Sequence, residues 1–173
     1  PLDLSRTLSD ATRMWQEQAS AKNLSFTVDL GDCPDRIMGD PSRLRQIVFN
    51  LLSNAIKFTP QGSVSLKVHQ ADRRYSIVVA DTGIGIPADK HEEIFESFRQ
   101  ADAGTTRQFG GTGLGLSICR SLSRAMDGDV TVESTPDAGS TFTLDVPLIF
   151  ADVEPETEDD GVQSLGTLIV DRN

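Results

Sequence analysis

Residues 40–59 read DPSRLRQIVFNLLSNAIKFT, and this stretch decides the architecture of the chain. Asp40 followed by Pro41 predicts a helix start, because a carboxylate can cap the first N–H groups and proline suits the first helical turn. The helix is predicted to run to about Phe58 and to stop before Pro60 and Gly62. The apolar residues at helical spacing, which form one buried stripe, are Leu44, Ile47, Val48, Leu51, Leu52, Ala55 and Ile56.

Three polar residues of the same helix form a ridge across from that stripe. Asn50, Asn54 and Lys57 are spaced four and three residues apart, which stacks them along the helix. Amide oxygens can coordinate Mg²⁺, and an ammonium can neutralise phosphate charge. An ordinary solvated helix face is the alternative interpretation. Asn is a poor residue for a helix interior, however, so two of them in mid-helix favour a functional use.

The segments on either side alternate between helical and strand patterns. An apolar face at helical spacing predicts a helix over residues 3–21, and alternation of apolar and polar residues predicts a strand over 24–30. The other predicted elements are strands over 64–68, 75–80, 130–132 and 142–146 and helices over 90–98 and 114–126. Helices and antiparallel-looking strands in this proportion predict an α/β (α+β) two-layer sandwich.

Two glycine-containing loops lie beside these elements. Residues 81–87, DTGIGIP, follow a strand directly, and their glycines would let a flat base approach the backbone while Asp81 accepts a hydrogen bond from an exocyclic amine. Residues 110–116, GGTGLGL, open the helix over 114–126 and can form an anion-binding nest of N–H groups. This second loop has neither the P-loop Gly-Lys-Ser/Thr nor the dinucleotide glycine spacing. Taken singly, either segment could be a plain turn or a flexible loop.

Composition excludes several classes of function. A net charge of −10, a pI near 4.5 and the lack of a basic patch exclude nucleic acid as a partner. There is no signal-peptide pattern and no apolar run near the ~20 residues of a membrane span, so we predict a cytoplasmic segment without membrane contact. Cys33 and Cys119 are predicted to be unpaired thiols, and neither His69 nor His91 lies at metal-ligand spacing from them.

Taken in order, the motifs resemble those of the GHKL (Bergerat-fold) ATPases, and within that family the sensor histidine kinases. The resemblance covers about residues 1–148. The matching segments are 40–59 (N box), 81–87 (G1 box), 95–98 (F box), 111–116 (G2 box) and 139–142 (a final Gly-Thr element). It implies a mixed, mostly antiparallel sheet with helices on one face, and ATP and Mg²⁺ as cofactors.

The resemblance also implies roles for single residues. Asp81 would bind the adenine amino group, helped through water by Ser140 or Thr141. Asn54, aided by Asn50, would hold Mg²⁺, so that these two residues are the metal ligands of the site. Lys57 would contact phosphate. The remaining residues assigned to nucleotide binding are Gly83, Gly85 and Ile86 of the first loop and Gly111, Thr112, Gly113, Leu114, Gly115 and Leu116 of the second.

A lid over the nucleotide is a further implication of the resemblance. Residues 99–109 would form it, and Arg107, or alternatively Arg99, would reach the γ-phosphate. Phe95 and Phe98 would anchor this lid to the body of the domain. Membership of the plain hydrophobic core is the alternative for both phenylalanines.

The position of Asn50 bears on the reaction type. GHKL proteins that hydrolyse ATP place a Glu at this position, four residues before the Mg²⁺-binding Asn, and an amide cannot take a proton from water. The resemblance therefore implies transfer of the γ-phosphate to a histidine on a separate phosphoacceptor helical domain of the same protein, a homodimer at full length. His69 and His91 lack the phosphoacceptor context and are predicted to be surface residues. A non-catalytic nucleotide-sensing module and a serine kinase of the anti-sigma type are the competing hypotheses.

The predicted domain organisation has three parts. Residues 1–150 would be the catalytic ATP-binding domain, and residues 151–164 an acidic linker, since residues 151–173 hold seven acids against one base. Residues 165–173 resemble the start of a receiver domain, with Arg172 in place of one of two adjacent acids. The parent protein would then be a hybrid kinase, and a receiver domain, in cis or as a response regulator, would be a partner.

Overall fold

The computed structural model describes residues 1–34, 36–97 and 113–151. Its five strands are β1 (Ser25–Asp29), β2 (Ser63–Ala71), β3 (Arg74–Asp81), β4 (Asp129–Thr135) and β5 (Gly139–Pro147). They form one sheet in the order β1-β2-β3-β5-β4. β1 runs parallel to β2, and every other neighbouring pair is antiparallel. The predicted mixed, mostly antiparallel sheet is confirmed.

Three helices cover this sheet: α1 (Leu4–Ala21), α2 (Pro41–Lys57) and α3 (Gly115–Arg124). The carboxylate of Asp40 accepts hydrogen bonds from the backbone N–H groups of Ser42 and Arg43, at 2.9 and 3.2 Å, as the helix-start pattern predicts. All seven residues of the predicted apolar stripe of α2 are buried. The buried stripe therefore fixes α2 in the core and leaves the polar ridge partly exposed.

The sheet presents alternating residues to the helices. The side chains at every second position are buried on this side, including Val64 and Leu66 on β2, Ile77 and Val79 on β3 and Leu144 on β5. The intervening positions, apart from Gly139 at the start of β5, are partly or fully exposed. One covered face and one open face make the domain a two-layer α/β sandwich, as predicted. None of the helices in the described ranges is long and apolar enough to cross a membrane.

The prediction of one helix over residues 90–98 is wrong. The described part of this segment forms two single 3-10 turns, Ala88–Lys90 and Glu93–Phe95, and Glu96 is already extended. Only Ile94 and Phe95 are buried here. Without a longer apolar stripe, nothing in the packing offsets the cost of nucleating a regular helix.

Candidate functional site

The candidate site begins with a row of polar side chains at one end of the sheet. The register places Asp81 at the end of β3 opposite Ser140 of β5, and Ser140 opposite Ser134 of β4. These positions have the same parity as the buried residues Val79 and Phe142, so the row faces the helical layer. A carboxylate and two serine hydroxyls thus lie side by side at this end of the sheet, on the side of the helices.

Asp81 is the charged member of this row and is largely removed from solvent. Its Oδ1 accepts hydrogen bonds from the backbone N–H groups of Gly83, at 2.9 Å, and Ser140, at 3.3 Å. Burial raises the pKa of the Asp81 carboxyl, although these two bonds and a bond with the Thr59 side chain act in the opposite direction. A carboxyl group kept in a place that disfavours its charged form is a candidate for ligand binding.

The loop after Asp81 is fixed on two sides. The N–H of Ile84 donates to the carbonyl of Phe58 at the end of α2, at 3.1 Å, and the Ile84 carbonyl accepts the N–H of Asp137, at 2.8 Å. Gly85 has a φ of +70°, and a side chain there would overlap the backbone oxygen of Thr135. The predicted need for glycine in this loop therefore has a definite cause, which is close approach to the β4–β5 turn.

The ridge of α2 faces the start of α3. The amide nitrogen of Asn50 donates to the carbonyl oxygen of Gly115, at 3.3 Å, so Asn50 joins the two helices. Asn54 and Lys57 are partly exposed on the same ridge, as the spacing predicts. Burial lowers the pKa of Lys57, whose ammonium lies 5.3 Å from the centroid of the Phe58 ring.

The predicted phosphate-binding loop is described only from Gly113 onward. Gly113 has a φ of +72°, which favours glycine, and α3 begins two residues later, at Gly115. Among the residues that the structure describes, no side chain caps the first N–H groups of α3. Uncapped N–H groups at a helix start can bind an anion. The predicted site residues Phe98, Arg107, Gly111 and Thr112 lie outside the described residues, as does Arg99.

Phe95 belongs to the hydrophobic core, which was one of its two interpretations. Its ring packs edge-on against Phe142, with 6.3 Å between centroids. The guanidinium carbon of Arg120, on α3, lies 3.9 Å from the centre of the Phe95 ring, and the same group forms ion pairs with Glu92 at 2.9 Å and Asp129 at 3.5 Å. The hydrogen bond from Arg120 lowers the pKa of Glu92. Sequence reasoning missed Arg120, because Glu92 and Phe95 come from a separate segment of the chain.

Replacing Arg120 should test this cluster. We expect Arg120→Met to lower the free energy of unfolding by about 1–2 kcal/mol, because the stacked cation on a largely buried side chain is lost. Urea denaturation measures the change. Arg124→Met is the control, since Arg124 lies on the same helix and contacts Asp129 at 3.6 Å but is 61% exposed; it should change stability by less than about 0.5 kcal/mol. Equal effects of the two substitutions would contradict this role of Arg120.

The two histidines differ in exposure. His69 is 57% exposed, with Nδ1 3.7 Å from an Asp32 carboxylate oxygen, and is the surface residue that was predicted. His91 is only partly exposed, because its Nε2 lies 3.0 Å from the carbonyl oxygen of Ile86. His91 thus remains at the surface, as predicted, but its ring contacts the loop that follows Asp81.

Comparison with known proteins identifies the class of domain to which this fold belongs. Residues 39–149 match the family described as histidine kinase-, DNA gyrase B- and HSP90-like ATPase. The match covers more than half of the chain. The chain belongs to this ATPase family.

Within the family, the similar curated proteins are histidine kinases. The chain is 40% identical over 176 residues to the circadian input-output histidine kinase CikA of Synechococcus elongatus, a match that covers 99% of this chain and 23% of CikA. It is 40% identical over 154 residues to the signal transduction histidine-protein kinase BarA of Escherichia coli, covering 86% of this chain and 17% of BarA. Sensor histidine kinase RcsC of Escherichia coli is 50% identical over 117 residues, which cover 68% of this chain and 12% of RcsC. The chain thus spans less than a quarter of the length of these relatives.

Solved structures of histidine kinases share the fold. Full-length ShkA, solved in complex with AMPPNP, superimposes with a TM-score of 0.78 at 35% identity, over 87% of this chain and 31% of ShkA. The catalytic domain of histidine kinase ThkA superimposes with a TM-score of 0.71 at 25% identity, over 84% of this chain and 93% of that domain. The architecture is that of histidine kinase catalytic domains, as the sequence motifs predict.

Proposed function

We propose that this chain binds Mg-ATP and donates the γ-phosphate to a histidine on a separate phosphoacceptor helical domain of the same protein. The observation that carries the proposal is Asp81, a partly buried carboxyl held through Oδ1 by the N–H groups of Gly83 and Ser140. A carboxylate has about four lone-pair positions, so these two N–H groups and the Thr59 side chain leave capacity to accept from an adenine amine. AMPPNP in the similar ShkA structure supports an adenine nucleotide as the ligand.

The chemistry of the α2 ridge fits a magnesium triphosphate. Asn54 and Asn50 offer amide oxygens, which suit Mg²⁺, and Lys57 offers a cation. Because the Asn50 amide nitrogen donates to Gly115, its oxygen points away from that carbonyl. Bound Mg²⁺ would neutralise charge on the phosphates. In this proposal Asn54 and Asn50 hold the metal, Lys57 contacts phosphate, and the loop that includes Gly113, Leu114, Gly115 and Leu116 lines the phosphate side.

The contact between Asn50 and Gly115 also favours transfer over hydrolysis. A neutral amide has no capacity to accept a proton from an attacking water. A carboxylate at this position would face the Gly115 carbonyl, and two acceptors would then repel each other. The local structure therefore favours a hydrogen-bond donor at the position where hydrolysing members of the family carry their base. Bound ATP would await a histidine imidazole from elsewhere.

Phosphotransfer in trans tests the proposal. The chain is mixed with γ-labelled ATP, Mg²⁺ and a purified phosphoacceptor helical domain from one of the similar histidine kinases, and label on histidine is measured. We expect labelling by the wild type and a loss of at least about 10-fold in Asn54→Ala, since a metal ligand is removed. Ser53→Ala, a change at the neighbouring position of α2, should label normally.

The outcomes of this experiment separate the competing functions. Bound nucleotide without any labelled histidine, for several such acceptor domains, would contradict the kinase proposal and favour a nucleotide-sensing module. Label on serine instead would favour a protein-serine kinase. Full labelling by Asn54→Ala would contradict the assigned metal ligands.

We further propose the domain order for the parent protein. Residues 1–150 form the ATP-binding catalytic domain, 151–164 a linker and 165–173 the start of a receiver-like domain. Residues 152–173 lie outside the described part of the chain, so this order is supported by composition and resemblance. The receiver domain, in cis or as a response regulator, would take the phosphoryl group in the cytoplasm.

A further inference from the structure

Ser134, which has no assigned role, lies at the centre of a hydrogen-bond network beside the proposed adenine site. Its hydroxyl oxygen accepts the N–H of Ile86, at 2.8 Å, and lies 2.8 Å from the carbonyl oxygen of Gly139. The hydroxyl oxygen of Ser140 is also 2.8 Å away. A serine hydroxyl has one proton and two lone pairs, so these three partners use its whole capacity.

Only one arrangement of protons satisfies all three contacts. The Ile86 N–H can only donate, and the Gly139 carbonyl can only accept. The single proton of Ser134 must therefore go to Gly139. Were it given to Ser140 instead, the oxygens of Ser134 and Gly139 would face each other at 2.8 Å without a proton between them. The remaining contact is accordingly Ser140 donating its proton to Ser134.

This arrangement decides what Ser140 offers to a ligand. With its proton directed at Ser134, the Ser140 oxygen can only accept a hydrogen bond from any further group. Ser140 is the direct cross-strand neighbour of Asp81, and ionised Asp81 is also an acceptor. Two acceptors side by side match a donor, such as a 6-amino group or a water that the amine holds in place. They disfavour the oxygen of a 6-oxopurine, because one acceptor would face another.

We propose that Ser134 is a specificity-determining positioning residue, which selects 6-aminopurine over 6-oxopurine nucleotides by holding the Ser140 hydroxyl as an acceptor. The inference rests on the proposed nucleotide function and adds to it the origin of base selectivity. Ser134 acts through Ser140 and does not itself contact the base. Neither composition nor motif spacing points to it, since Ile86 and Ser134 are 48 residues apart.

Calorimetric titration with ATP and with inosine triphosphate tests this role. The wild type should prefer ATP, and Ser134→Ala should reduce the ATP/ITP affinity ratio by about 3- to 10-fold, the scale of one net hydrogen bond. A freed Ser140 hydroxyl can rotate and donate to the 6-oxo group, so binding of inosine triphosphate should suffer less than binding of ATP. A purely structural loosening of the loop would lower both affinities alike and leave the ratio unchanged.

Four further variants complete the test. Ser134→Thr keeps the hydroxyl and should retain the ratio, whereas Thr131→Ala, an exposed position of the same strand, should change nothing. The double variant Ser134→Ala/Ser140→Ala should have an ATP/ITP affinity ratio no lower than that of Ser140→Ala alone. The reason is that Ser134 acts through Ser140. An unchanged ratio in Ser134→Ala, or a wild type without preference for ATP, would overturn the inference and leave the proposed function standing. A wild type that binds neither nucleotide would overturn both.

Discussion

Asp81→Asn is expected to weaken ATP binding by about 2 kcal/mol, or roughly 30-fold. The carbonyl oxygen of the new amide can still accept the N–H groups of Gly83 and Ser140, so the loop keeps its bonds. The amide nitrogen, however, then stands where the adenine amine needs an acceptor, and two donors face each other. Calorimetric titration measures the loss.

The same variant should behave in the opposite way in a stability measurement. Burial raises the pKa of Asp81 in the folded chain, so its ionised form costs folding free energy. This cost is absent at a pH below the ordinary Asp pKa, where the carboxyl is protonated in both states. The cost grows as the pH rises from the ordinary Asp pKa toward the raised pKa of Asp81 in the folded chain. Above that raised pKa the cost stays constant. At neutral pH, Asp81→Asn should therefore be at least as stable as the wild type.

Asp137→Asn is the matched control for both measurements. Asp137 is exposed in the β4–β5 turn with a φ of +60°, which asparagine tolerates well. Its substitution should change neither nucleotide affinity nor stability appreciably. Unaltered ATP binding by Asp81→Asn, or a loss of affinity that merely follows a loss of stability, would contradict the adenine role of Asp81.

Gly139→Ala is expected to lower the free energy of unfolding by about 3 kcal/mol. Gly139 has a φ of +97°, and an added Cβ would overlap the backbone oxygen of Asp81. The clash is with backbone, which cannot rotate away as a side chain can, so β3 and β5 must separate at the site. Nucleotide affinity should fall with stability. Urea denaturation followed by circular dichroism measures the effect.

Gly115→Ala is the control for that substitution. A Cβ at Gly115 would make only an ordinary contact, 3.7 Å from the Asn50 side chain, and Gly115 lies in a helix. Stability should therefore stay within about 1 kcal/mol of the wild type, with helix propensity favouring alanine. A Gly139→Ala chain as stable as Gly115→Ala would show that β3 and β5 are not closely joined at Asp81.

The sequence was sufficient to predict the elements whose signals are local. The cap at Asp40 and the apolar stripe of α2 each lie within one continuous segment, so local patterns predict them. The strand pattern before Asp81 likewise predicts the position of this residue. The 3-10 turns near Phe95 were predicted as a helix, because charge and propensity alone do not reveal that only two of the described residues in this segment are buried.

The contacts that complete the site could not be predicted in this way. Asn50 and Gly115 are 65 residues apart, and Arg120 meets Glu92 across 28. The hydroxyl pair of Ser134 and Ser140 depends on the register of β4 against β5, which a shift of one residue would destroy. Such contacts follow from the packed arrangement of the elements, and no local pattern records them.

The measurement that addresses the central claim is titration of the purified chain with ATP, with and without Mg²⁺, while released phosphate is followed. We expect one saturable site, tighter binding with Mg²⁺, and negligible phosphate release over hours, because Asn50 offers an amide where a hydrolysing enzyme of this family would carry its base. A chain that ignores adenine nucleotides, or that hydrolyses them rapidly by itself, would contradict the account.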